Sequence, residues 1–171
     1  MAVLGSTIHL ERRRYAKILY VIVPLAALVL QAWLPRVVGQ YAWFDLPLIV
    51  TVYFALGRRS PVQGTIMGAI MGIFEDALTH RPIGINGIAK TVVGFLAASV
   101  GVRIAVENQA IRLFLNFLLS LLSSAIVVFI YHFLLGLDLK WRWFTEVYSA
   151  IGNSLVAMVL FPVLDRLQVR D

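Results

Sequence analysis

Among the residues of this sequence able to do chemistry, Glu75, Asp76 and Lys90 stand out, because all three interrupt apolar stretches. The two acids follow the run Gly64-Thr-Ile-Met-Gly-Ala-Ile-Met-Gly-Ile-Phe. An ionised side chain inside a bilayer costs roughly 2.5–3.5 kcal/mol on insertion scales, so each must be paired, placed at an interface or put to use. Three roles stand open: interfacial placement with the lysine snorkelling outward, a buried pair of Lys90 with one of the acids, and a transport or proton relay. A relay needs further titratable groups in line. Those at hand are His80, in a loop, and His132, alone near the end of a segment.

The elements that position these groups read as helices. Gly64, Gly68 and Gly72 recur every four residues and so share one slowly rotating helix face. Asp76 continues that series, whereas Glu75 is turned about 100° from it at 3.6 residues per turn. Lys90 shares a face with Gly87 and Gly94. Small residues let helix backbones approach in lipid, where little hydrophobic force drives association. The two glycine faces are therefore expected to meet, either within one bundle or against a partner or a second copy of the chain. Glu75 and Lys90 lie about equally far from Pro82 along the sequence. A turn centred there brings them to similar depth, which predicts a Lys90 pair with Glu75 or Asp76.

The whole composition demands a membrane setting. Of 171 residues 60% are hydrophobic and only 14% charged, and the mean hydropathy is +0.85. A soluble domain of this length has too large a surface to hide so much apolar side chain. Six segments, at about residues 18–34, 41–57, 62–78, 83–106, 111–135 and 146–164, are expected to form one all-α domain of transmembrane helices. The second is short against the ~20 residues that cross a bilayer. A basic stretch precedes the first, but no small-residue cleavage pattern follows it, so it is expected to stay as a helix.

Orientation follows from the lysines and arginines. With the N-terminus in the cytoplasm, ten basic residues fall on the inner side and four on the outer, with Lys90 inside a span. Both termini are then cytoplasmic, which requires an even number of crossings. Trp33, Trp43, Trp141 and Trp143 all fall at the outer interface under this topology. The net charge of +6 punctuates hydrophobic runs instead of forming a groove, so nucleic acid is not the expected partner.

Enzyme signatures are missing. The sequence has no HExxH, no GxSxG, no glycine-rich phosphate loop and no paired metal-binding aspartates. It contains no cysteine, which removes thiolate chemistry. No catalytic residue, metal or cofactor is expected. Asn116, Ser120, Ser123 and Ser124 form a polar stripe on the fifth segment, and Ser149, Gly152 and Asn153 cluster on the sixth. Interhelical hydrogen bonds explain such stripes by default; a substrate cavity is the other reading.

The block 44–101 resembles a known family. It runs from Asp45-Leu46-Pro47 through the basic turn Gly57-Arg58-Arg59-Ser60-Pro61 and the glycine helix ending Glu75-Asp76-Ala77-Leu78 to Pro82-Ile83-Gly84. These features look like the bacterial rod shape-determining membrane protein family, MreD. The resemblance implies a non-enzymatic scaffold of the cell-elongation and peptidoglycan-synthesis machinery in the cytoplasmic membrane. It implies partners as well: MreC, the actin-like MreB, and RodA with its transpeptidase partner. It further implies an architecture similar to the six-helix substrate-binding subunits of energy-coupling transporters. The alternative is a small-molecule-binding transport subunit, which needs a pocket near the outer side.

Overall fold

The computed structural model describes residues 18–38, 44–104, 108–136 and 143–167. The basic cluster Arg12-Arg13-Arg14 with Lys17, and the tryptophans Trp43 and Trp141, lie outside the described residues. Six helices follow in order: α1 (Leu19–Val38), α2 (Leu46–Arg58), α3 (Pro61–Leu78), α4 (Ile85–Arg103), α5 (Gln109–Phe133) and α6 (Trp143–Asp165). Among the described residues α4, α5 and most of α6 are long and apolar enough to cross a membrane.

The short second segment has a structural explanation. At 13 residues, α2 is about 20 Å long, less than the ~30 Å hydrocarbon layer. Yet every residue from Pro47 to Gly57 is buried. A helix that is apolar on all sides belongs in an interior, and α2 is the centre of this bundle. One side contributes Ile49, Val50, Tyr53 and Phe54 to a core with Ala27 and Leu28 of α1, Met71 of α3, and Ala157 and Phe161 of α6. Its other side packs Leu48, Val52, Ala55 and Leu56 against Val93, Ala97 and Ala98 of α4 and Leu119 of α5. The outward faces are apolar too: Val21, Leu25 and Val29 on α1, Phe129 and Phe133 on α5, and Leu155 and Val159 on α6 are all exposed. Such a surface suits lipid and not water.

The α3–α4 hairpin is the tightest seam. A Cβ on Gly64, Gly68 or Gly72 would strike the backbone carbonyl of Gly94, Lys90 or Asn86 respectively. Those contacts step by four residues in opposite senses, so the helices run antiparallel with Gly68 level with Lys90. The glycine series thus faces inward. Gly94 returns the contact to Gly64, whereas Gly87 faces the side chain of Ile73. In the connecting turn His80 and Gly84 both take positive φ, 55° and 103°.

At this end of the bundle the starts of α2 and α4 are capped by acids. Asp45 is the N-cap of α2, its Oδ1 accepting from Leu48 N–H at 2.8 Å. Gly84, the N-cap of α4, has no side chain to offer. Asp76, across the turn, substitutes for it.

Candidate functional site

Asp45, Glu75 and the buried Lys90 form one cluster where α3 ends and α2 and α4 begin. Lys90 Nζ lies 2.6 Å from Glu75 Oε2 and 2.7 Å from Asp45 Oδ2, with its side chain wholly buried. Glu75 is 4% exposed and Asp45 24%. Side chains on a helix lean toward its N-terminus. In this antiparallel pair, Lys90 on α4 therefore leans toward the turn, and Glu75 on α3 leans away from it. The two converge although their backbones stand at different depths. Asp45 closes the triangle from the start of α2. In turn its backbone N–H donates to Asn153 Oδ1 at 2.7 Å, tying the cluster to α6. Gln31 of α1 braces the same chain entry, donating to Phe44 C=O at 2.9 Å and accepting from Leu46 N–H at 3.1 Å.

Asp76 does separate work. Its Oδ2 accepts from Gly84 N–H at 2.9 Å and Asn86 N–H at 3.0 Å, and its Oδ1 from Asn86 Nδ2 at 2.7 Å. A carboxylate held on free N–H groups at a helix start satisfies them and complements the helix dipole.

A second buried ion pair stands at the opposite end. Arg112 of α5 donates to Asp165 of α6 through both terminal nitrogens, at 2.6 and 3.3 Å. Tyr53 Oη donates to Asp165 at 2.7 Å, and the guanidinium lies 4.6 Å from the Phe161 ring centroid. Between the two ends, Asn153 donates to Ser120 Oγ at 3.3 Å. Asn116 is fully buried, and neither end of its amide finds a partner among the described residues.

A family model described as rod shape-determining protein MreD matches residues 11–169, nearly the whole chain. The chain belongs to the MreD family. No curated protein and no solved structure matches it. MreD proteins are membrane proteins with a role in rod shape determination, and the family is structural, not one known for enzymes.

Within this MreD chain the geometry selects between two expected partners of Lys90 and corrects one expectation. Lys90 contacts Glu75 and not Asp76, which the turn backbone and Asn86 occupy. Nor is the hairpin symmetric about Pro82. Its register is set by the glycine contacts, which place Lys90 level with Gly68, about 10 Å along α3 from Glu75 at 1.5 Å per residue. The lysine side chain and the opposed lean of the two residues span that gap.

Sequence reasoning missed Asp45 as a partner of Lys90, since 45 residues separate them. A signal was present, however: Asp45-Leu46-Pro47 is an N-cap followed by proline in the first turn, which fixes an acid at the same end as Glu75. Arg112 is one of the ten basic residues that the sequence places on the inner side, and no local pattern singles out Asp165. Their pairing needed the packing of α5 on α6.

Proposed function

We propose that this MreD protein is a non-enzymatic scaffold of the cell-elongation complex, spanning the bacterial cytoplasmic membrane six times with both termini in the cytoplasm. In that role it docks MreC and holds MreB, RodA and the RodA transpeptidase partner near sites of peptidoglycan synthesis. The family match along nearly the whole chain carries this reading. The packing is in keeping with it: a central helix buried from Pro47 to Gly57 and an inward glycine seam make a stiff body. Its apolar outer faces are left for lipid and for partner helices.

Because the Gly64–Gly72 face is occupied by α4, docking falls to the outward positions. Photo-crosslinkers at Val29, Ile66, Phe129 and Val159, all exposed, should capture a single-span partner from one or two faces in native membranes. Depletion in the source bacterium should turn rods into spheres, and only a chain that still captures the partner should restore them. Normal rods after full depletion refute the reading; capture of a second copy alone would replace the scaffold by a homodimer.

A further inference from the structure

A cavity of about 240 Å3 lies between the Asp45–Lys90–Glu75 cluster and the facing parts of α5 and α6. That volume falls below the ~300–1,000 Å3 of drug-sized sites. Any ligand is therefore small.

The lining is polar and unevenly charged. Asp45, Glu75 and Glu146 present carboxylates to the cavity. Arg81 stands on its wall, and Lys90 lies behind Asp45 and Glu75. Three acids against two bases leave one negative charge in excess. Asp45 is largely committed, with one oxygen on Leu48 N–H and the other on Lys90. Glu146 makes no hydrogen bond or ion pair with any described residue.

Ser123 supplies an independent pointer. It lines the cavity and is 4% exposed, yet its hydroxyl hydrogen-bonds to no described residue. A helical serine commonly closes on the carbonyl four residues back. Ser99 and Ser154 do so in this protein. Ser123 does not, so its hydroxyl is free for something held in the cavity.

We propose that this cavity binds a small organic cation, an ammonium or guanidinium group received by Glu146 and Glu75 with Ser123 hydrogen-bonding beside them. That chemistry has two sources, a free amine or guanidine and a lysine or arginine side chain of a membrane partner.

The test uses the full chain in nanodiscs, melted at constant ionic strength with N-acetyl-arginine amide, N-acetyl-lysine amide or the neutral N-acetyl-glutamine amide. At least one cationic probe should raise the melting temperature in a saturable way, and the neutral one should not. Glu146→Gln should weaken that response roughly tenfold, the loss of one charge-assisted contact. Ser123→Leu, which removes the hydroxyl and narrows the cavity, should weaken it further; if that variant does not fold, Glu146→Gln still decides. No shift with either cation, an equal shift with the neutral probe, or an undiminished response in Glu146→Gln overturns the proposal, leaving a water-filled vestibule. Once the response is seen, native mass spectrometry of protein extracted from its own membranes separates the sources. A small-molecule adduct lost in Glu146→Gln marks a free ligand, and release of a co-purified subunit by the cationic probe marks a side chain.

Discussion

Replacing Lys90 by methionine keeps the length and apolar stem of the side chain but removes the cation that Glu75 and Asp45 share at 2.6 and 2.7 Å. Breaking a buried pair by removing one partner costs about 3–5 kcal/mol, because a charge is left uncompensated. Two carboxylates are stranded here, but the costs do not double. Glu75 is 4% exposed and bears the larger part, whereas Asp45, at 24%, is partly screened by solvent. Glu75→Gln in the Lys90→Met background removes the more buried orphan charge and should recover about 2 kcal/mol, within the range for an unsatisfied charged group. Asp45→Asn should recover less, since part of its charge is already solvated; the amide still caps α2. Asp76→Asn should recover nothing. Its amide offers one acceptor where the carboxylate serves three donors, so a further ~1–3 kcal/mol should be lost. Reversible unfolding in mixed micelles, or steric trapping in bicelles, gives each free energy, and a double-mutant cycle isolates the Lys90–Glu75 coupling. A Lys90→Met cost under about 1 kcal/mol, or rescue by Asp76→Asn in place of Glu75→Gln, refutes the assignment.

Three further outcomes follow from the same geometry. Gly68→Ala drives a methyl onto the Lys90 carbonyl and should cost ~1–3 kcal/mol as the helices part. Gly87→Ala meets Ile73, most closely its side-chain Cγ1 at 3.0 Å, and should cost far less; equal costs would show that the seam is not rigid. Asn116→Leu removes a buried amide without partners among the described residues and should be neutral or stabilising by up to ~1–3 kcal/mol, so a melting temperature lowered by several degrees counts against it. Arg112→Met should destabilise less than Lys90→Met, because Asp165 is 31% exposed and keeps the Tyr53 hydroxyl; the reverse order, read in the same unfolding assay, contradicts this.

The legible and the illegible parts of the site divide by range. The four-residue step of Gly64, Gly68 and Gly72 is a local pattern, and it marked the face that meets α4. Which of two neighbouring acids takes the lysine was not local. Glu75 and Asp76 differ by about 100° around one helix, and the hairpin register, set by backbone contact at the glycines, decides between them. The turn length misled because Thr79 to Gly84 does not fold symmetrically about Pro82: His80 and Gly84 adopt left-handed φ, and Asp76 draws Gly84 and Asn86 back toward α3.

By itself the sequence determined that this chain is a helical membrane protein, that small residues line one helix face, and that Lys90 must be paired, held at an interface or put to use. Those properties follow from composition, from periodicity along single helices and from the cost of a bare charge in lipid, none of which needs a neighbour. The tertiary structure alone decided that α2 is the buried centre, that Asp45 joins Glu75 on the lysine, and that Arg112 finds Asp165. It also decided that Ser123 and Glu146 face one cavity. Each of these joins residues far apart in the chain, and a contact between distant segments depends on how whole helices pack, which no local pattern encodes.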